Sequence, residues 1–361
     1  MNDNQREYFP IITVYVIRGG KMRKGALIFI ALLILVYGKA PEKVVGSYIG
    51  SLKIGFPVEY KNLKIFPLEM ASNTLIKDFI ILDEAIYKGW LKIRELETGN
   101  VNQVEIKNNG DEPVFILTGE MITGAKQDRM IKEDILLPPN SGWIKVDVYC
   151  VEHGRWVSVS EEFKSGGFVV PNTVRQRAKL SESQTEVWAE VARTQDKLGV
   201  ASKTGTVRAN YEDKEVQKVI EEYDRGFGKI PKLSKSTIGV VVTTGEKIIC
   251  LDLFVSNSLL NKLWKKLIKS YAMDAIGGEK SSIMKQDIEN FIGNLEKAKY
   301  VSTGTPGLGT LLAIESNMGR GSVLVYNNAV IHMDFFPDEK GLIDGGTDLR
   351  LDFRRNQRFD E

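Results

Sequence analysis

The sequence predicts an α+β protein with a largely antiparallel sheet at both ends of the chain and a helical middle segment. Three observations carry this. Short apolar runs bounded by turn residues crowd the span before Trp156 and recur from Ile238 onward. Apolar residues at helical spacing fill the span between. The strands and helices do not alternate regularly, as a doubly wound parallel sheet would require.

Each element follows from its residues. Leu52–Ile54 and Leu63–Phe66 read as short strands, the second ended by Pro67. Leu82–Lys88 reads as a short helix with Asp83 and Glu84 in its first turn, where carboxylates suit the helix dipole, and Gly89 ends it. Leu91–Leu96 and Val101–Ile106 are strands, followed by the turn Asn108–Asp111. Val114–Leu117, Ile135–Leu137 and Trp143–Cys150 continue the first β region. In the last of these, Ile144, Val146, Val148 and Cys150 alternate with Lys145, Asp147 and Tyr149, as in a half-buried antiparallel strand. Ser165-Gly166-Gly167 reads as a hinge, Val174–Leu180 as a short basic stretch, and Lys203–Asn210 as a polar loop. Gln184–Leu198 and Glu212–Phe227 are amphipathic helices. Ile238–Val242 and Lys247–Val255 form a hairpin around Thr244-Gly245-Glu246. Ser256 caps a long helix reaching Ile276, with Lys262, Lys265, Lys266 and Lys269 on a solvated face opposite its apolar stripe. Ser282–Ala298 is a further helix. Thr310–Ile314, Ser322–Tyr326 and Val330–Phe336 close the fold as strands. With no internal repeat and no convincing linker, residues 46–337 read as a single domain, and 338–361 as a charged, loosely held tail.

Composition narrows the function classes. The 361 residues carry a net charge of +2, which gives no general pull toward nucleic acid. Two His and two Cys are too few for a His/Cys zinc site, and no G-x-S-x-G elbow is present. Cys150 and Cys250 lie in apolar strand contexts and read as buried free thiols. Met22-Arg23-Lys24 precedes the apolar run Ala26–Tyr37, which is shorter than the roughly 20 residues of a membrane span and fits a signal-peptide core. Residues 22–40 are therefore expected to direct export. Pro41 after Ala40 is a poor cleavage context, so the alternative is an uncleaved anchor at 26–37, the expected route of membrane contact. Met22 reads as the working start, and residues 1–21 as a mis-called start.

The candidate site lies between Gly119 and Trp156. Glu120 follows an apolar strand, Gln127-Asp128-Arg129 sits in a second turn, and Glu152-His153-Gly154-Arg155-Trp156 ends a later strand. The carboxylates of Glu120, Asp128 and Glu152 either pair with Arg129 and Arg155 to shape a turn or pocket, the favoured reading, or contact a ligand or Mg²⁺ directly. Arg129 and Arg155 can fork onto phosphate or brace loops. His153 is a better catalytic candidate than His332, and Trp156 can stack on a ring or sit at a rim. The run Gly304–Leu312 misses both phosphate-loop patterns and reads as a turn before a strand.

These motifs carry a resemblance. Gly124–Arg129, Cys150–Trp156, Gln184–Trp188, Asp252-Leu253-Phe254, Lys266–Tyr271 and Val330-Ile331-His332, in this order, resemble the ADP-ribosylglycohydrolase- and rhodanese-phosphatase-associated protein domain over about residues 47–336. The resemblance implies a role in NAD or ADP-ribose metabolism, by association with enzymes of that chemistry, and brings no catalytic residues with it. The chain departs from the family setting in carrying no fused enzyme and an export-like segment. Two readings result. In one, Gln127, Arg129, Arg155 and Trp156 bind a phosphate-bearing nucleotide such as ADP-ribose, with Glu120, Asp128, Glu152 or His153 as catalytic candidates. In the other, the domain is a non-enzymatic exported interaction or structural module and the cluster braces its loops.

Overall fold

The computed structural model describes residues 40–70, 78–96 and 100–338. The chain opens with α1 (Pro41–Ile49), β1 (Lys53–Ile54), β2 (Val58–Tyr60), β3 (Leu63–Glu69), β4 (Ile80–Ile81), α2 (Leu82–Tyr87), β5 (Leu91–Glu95) and β6 (Gln103–Asn108). Then come β7 (Val114–Ile116), β8 (Glu120–Gly124), β9 (Arg129–Ile131), β10 (Ile135–Leu137), β11 (Ile144–Cys150) and β12 (Phe163–Val169). The helical middle holds α3 (Asn172–Ser181), α4 (Gln184–Leu198), α5 (Arg208–Glu212), α6 (Lys214–Phe227) and α7 (Ile230–Leu233). The chain continues through β13 (Thr237–Thr244), β14 (Lys247–Phe254), α8 (Asn257–Ala275), α9 (Lys285–Glu296), β15 (Lys299–Ser302), β16 (Thr310–Ser316), β17 (Gly319–Tyr326) and β18 (Ala329–Pro337). The protein is α+β, with sheet at both ends and helices between.

The two β regions meet in one sheet. Its order is β1-β3-β13-β14-β18-β17-β16-β15, with β2 on β3, so the early strand β3 pairs along β13 from Glu69↔Thr237 to Leu63↔Thr244. This sheet is buried on both faces, which explains why β3, β13 and β18 read as nearly continuous apolar runs. One face packs Ile65, Val240 and Val242 against Leu260, Leu263, Leu267 and Tyr271 of α8. The other packs Phe66, Val241 and Phe335 against Val45 of α1 and Phe291 of α9. A second sheet, β12-β8-β9-β11-β6-β5, and a small sheet, β10-β7-β4, enclose a third core around Ile93, Ile106, Ile116 and Ile131. Among the described strand pairs only β4–β7 is parallel.

Local chemistry sets several boundaries that differ from expectation. The basic stretch at 174–180 belongs to a ten-residue helix, α3, with Arg175 and Lys179 one turn apart and both pointing inward. Ser165-Gly166-Gly167 is not a hinge. It lies within β12, paired to β8 with a register shift between Ser165 and Val169, and a side chain at Gly166 would meet the Met121 Cβ at 2.9 Å. The helix expected from Ser282 starts at Lys285, because Ser282 N–H is held by the Gly245 carbonyl at 2.8 Å. On α8, Ser256 caps the Leu259 N–H as expected, but Lys266 is buried in ion pairs with Glu120 and Asp83.

One expectation is overturned. Among the described residues no helix is long and apolar enough to cross a membrane, so membrane contact through a hydrophobic N-terminal segment has no support. The run at 26–37 that suggested it lies outside the described residues, as do the expected start at 1–21 and the tail beyond 338.

Candidate functional site

The structure brings five of the sequence-predicted residues together and closes them on one another. Glu152 accepts from Arg155 Nε at 2.9 Å, from the Asp128 N–H at 3.0 Å and from Thr204 Oγ1 at 2.9 Å. Asp128 accepts from Arg155 Nη2 at 3.2 Å, Thr206 Oγ1 at 3.0 Å and the Gly124 N–H at 3.2 Å. Arg155 spends its remaining donors on the carbonyls of Gly124, Ala125 and Val157. Gln127 donates to the Glu152 carbonyl at 2.8 Å and accepts from Arg129 at 3.1 Å. Burial pushes the Glu152 carboxyl up, but hydrogen bonds from Arg155, the Asp128 N–H and Thr204 outweigh it, and its pKa falls below the usual value. Asp128 moves the other way, raised by burial and by the charge of Glu152. A glycine is required at 124: φ is +126°, and a Cβ there would sit 2.6 Å from Ser160 Oγ.

The other three predicted residues stand apart from this knot. Glu120 is fully buried and pairs with Lys266 at 2.6 Å, accepting also from the Leu117 N–H. His153 is exposed, with its ring edge against Trp188 at 4.4 Å between centroids. Trp156 is 57% exposed, with Lys126 over its ring.

A second polar cluster, not foreseen, lies beneath α3. Asp252 and Asp334 are cross-strand neighbours on β14 and β18, an arrangement that like charges disfavour. Arg175 resolves it by forking onto Asp252 at 2.6 and 3.1 Å, with Asp334 at 3.9 Å. Tyr271 donates to Asp252 as well. His332 bonds Asp134 through Nδ1 at 2.6 Å and faces Asp252 through Nε2 at 3.3 Å. Burial alone would lower the His332 pKa, but the two carboxylates raise it to about 9. Lys179 extends the cluster, donating to Glu133 and to Ser322 Oγ. The sequence held a signal for it: Cys250, Asp252 and Phe254, and His332, Asp334 and Phe336, alternate onto one face of their strands.

Clefts open at both ends of α3. Toward its C-terminal end, Lys132, Glu133, Lys179, Arg320 and Ser322 line about 280 Å³. Carboxylates raise the Lys179 pKa against the effect of burial, so its amine stays protonated and cannot activate Ser322 as a base would.

The N-terminal cleft, about 420 Å³, is lined by Asn172, Thr173, Gln176, Lys197, Asp274 and the β13–β14 turn. Two of its buried side chains each leave an acceptor oxygen without a partner. Asp274 is 8% exposed, and its Oδ1 accepts from Thr173 N–H and Oγ1, both at 3.3 Å, while Oδ2 has no partner. Asn172 is 1% exposed; its amide donates to the Ile249 carbonyl at 3.1 Å, while Oδ1 has no partner. Burial pushes the Asp274 carboxyl up to about 7, against the Lys197 charge, the Thr173 bonds and the Asn172 amide beside it. A third, wider groove of about 790 Å³ runs between α9 and the β16–β17 turn. None of the sequence-predicted site residues lines any of these three clefts. Among the described residues no group of three or more His, Cys, Asp or Glu side chains is arranged to hold a metal ion.

Comparison with known proteins places the chain. No curated protein and no solved structure matches it. The model of one family does, across residues 51–336, and that family's name records its association with the ADP-ribosylglycohydrolase and rhodanese-phosphatase superfamilies. The resemblance read from Gly124–Arg129 and Cys150–Trp156 is thereby shown, and the chain belongs to the ARG and Rhodanese-Phosphatase-superfamily-associated Protein domain family.

Proposed function

We propose that this domain binds a small phosphate-bearing nucleotide such as ADP-ribose, and that the ligand sits in the cleft at the N-terminal end of α3. The observation that carries the reading is the pair of unpartnered, deeply buried acceptors, Asp274 Oδ2 and Asn172 Oδ1, in that cleft. Buried polar groups are almost always satisfied, and a group left without a partner marks a place where one is supplied. A volume of 420 Å³ lies within the roughly 300–1,000 Å³ of small-ligand sites, and Lys197 and Lys247 are among the residues that line it. A carboxyl titrating near 7 inside a cleft is also a recurrent feature of functional sites. The family's association with ADP-ribose chemistry agrees with this class of ligand.

The alternative, a non-enzymatic interaction module, draws support from the closed Asp128–Glu152–Arg155 knot and the exposed Trp156, Val157 and Val159 beside it. A thermal-shift titration of the purified full chain with ADP-ribose, NAD and inorganic phosphate separates the two. Ligand at 100 times its Kd stabilises by about 2.7 kcal/mol. The expected result is a saturable shift with ADP-ribose that Asp274→Ala abolishes and Arg155→Ala keeps. No shift with any of the three ligands would favour the interaction module.

A further inference from the structure

The two oxygens of the Asp274 carboxyl differ. Oδ1 accepts from the Thr173 N–H and Oγ1, both at 3.3 Å, whereas Oδ2 has no partner. Resting on the reading that this cleft is a ligand site, we propose that Asp274 takes a hydrogen-bond donor of the ligand on Oδ2 as an ionised carboxylate, so that binding expels a proton.

Burial penalises the charge of a carboxylate, and hydrogen bonds or a nearby cation offset that penalty. Here the offset is incomplete. Thr173 serves one oxygen, the Asn172 amide stands beside the carboxyl, and Lys197 of α4 donates to the Asp274 main-chain carbonyl at 2.8 Å. Without a ligand the carboxyl therefore holds its proton up to about pH 7. An N–H or O–H of the ligand placed on Oδ2 supplies the missing bond, and a donor favours the charged form, so the proton leaves. The second unpartnered atom, Asn172 Oδ1, is also an acceptor, because the amide nitrogen faces the Ile249 carbonyl at 3.1 Å. What the cleft lacks is donors, and a ligand that brings them suits the ionised form of Asp274.

Other ionisable groups face the carboxyl or the cleft. Tyr211 of α5 and Cys250 of β14 feel the Asp274 charge, and burial pushes both well above their ordinary values, so both stay neutral near pH 7. Lys197, Glu246, Lys247, Glu279 and Asp338 line the cleft with Asp274, and neither histidine does. The proton exchanged near pH 7 is therefore assigned to Asp274. Thr173, which touches only the other oxygen, is the positioning residue that tests this assignment.

The test is calorimetric titration of the full chain with ADP-ribose, which has no group of its own titrating between pH 6 and 8.5, in buffers of different ionisation enthalpy. At pH 6 the heats should differ between buffers by the equivalent of about one released proton per ligand, falling toward none at pH 8.5. Affinity should be about tenfold tighter at pH 8 than at pH 6. Thr173→Val, checked for its fold by circular dichroism, keeps the N–H and removes the hydroxyl from Oδ1. It should move the midpoint of the affinity profile to higher pH while affinity at pH 9 stays near the parent's. An unmoved midpoint would overturn the assignment to Asp274. Binding that tightens as pH falls would overturn it as well, by making the protonated carboxyl the donor. Buffer-independent heats with an affinity flat in pH would overturn the proton coupling and leave the ligand site standing. If ADP-ribose binds at no pH, both the site and the inference fall.

Discussion

The Asp128–Glu152–Arg155 knot and the Asp274 cleft are built from similar groups and differ in how completely those groups are paired. In the knot each carboxylate oxygen of Glu152 and Asp128 meets a donor, and hydrogen bonding carries the Glu152 pKa below its ordinary value. In the cleft one carboxylate oxygen meets donors and the other meets none, and burial carries the Asp274 pKa upward. The charged residues that made the first region conspicuous in the sequence are paired with one another. Function is better read from the unmet hydrogen bond, because a satisfied buried network gains nothing from a ligand.

The largest test of this comparison lies in the Arg175 network, a third cluster, held by buried ion pairs. Arg175→Ala leaves Asp252 and Asp334 facing each other in the core, and removing one partner of a buried ion pair costs about 3–5 kcal/mol. Urea unfolding should show a loss of that size, or failure to fold; a loss under about 1 kcal/mol would break the assignment of Arg175 as a structural cation. The same network gives stability a pH limit. The folded-state pKa of His332, about 9, lies above the unfolded value near 6.5, so its contribution is fully present below about pH 6.5 and is lost as pH rises through 9. At about 1.4 kcal/mol per displaced pH unit the loss approaches roughly 3 kcal/mol. His332→Gln should flatten this alkaline decline in the urea midpoint between pH 7 and 10.

Arg155→Ala is expected to cost somewhat less, about 2–3 kcal/mol, because its side chain is partly exposed and water can reach the abandoned Glu152. Binding in the α3 cleft should not change. A variant that melts like the parent yet loses ADP-ribose would reverse the comparison and make the knot the site.

Why the sequence pointed to the knot can be traced to particular residues. Its strands and turns were legible because alternation at Ile144–Cys150 and glycines such as Gly124 act locally. So was the α+β class, and with it the family. That Asp128, Glu152 and Arg155 meet was also legible, since turns of one local sheet hold them. The cleft was not, because Asn172, Lys197, Ile249 and Asp274 come from four elements, joined only when β3 pairs with β13 and α8 packs across the sheet. No local pattern reveals that Asp274 Oδ2 lacks a donor, since that depends on what α3 and α4 have already spent. The pairing of Lys266 with Glu120 was hidden likewise: on α8 it shares its face with lysines that helical spacing alone assigns to solvent.

The smallest expected effect is the sharpest test of the comparison. Asp274→Asn keeps the oxygen that caps Thr173 and places an uncharged amide nitrogen where the unpartnered Oδ2 stood. Because the folded-state pKa of Asp274, about 7, lies above the unfolded value near 3.8, the folded form holds the proton more tightly. Stability therefore falls as pH rises from about 4 to 7, and the full cost of the buried charge is present above 7. The neutral amide escapes that cost, so the variant should be more stable than the parent at pH 8, by roughly 1–2 kcal/mol, with the gain vanishing toward pH 4. Ligand binding should be lost over the same range, since the substitution removes the acceptor that the ligand would have met. A more stable protein with an inactive cleft is the outcome expected where a fold tolerates an unmet hydrogen bond for the sake of a ligand. If Asp274→Asn instead destabilises at pH 8, the carboxylate is a satisfied structural cap, and the contrast between the two regions fails.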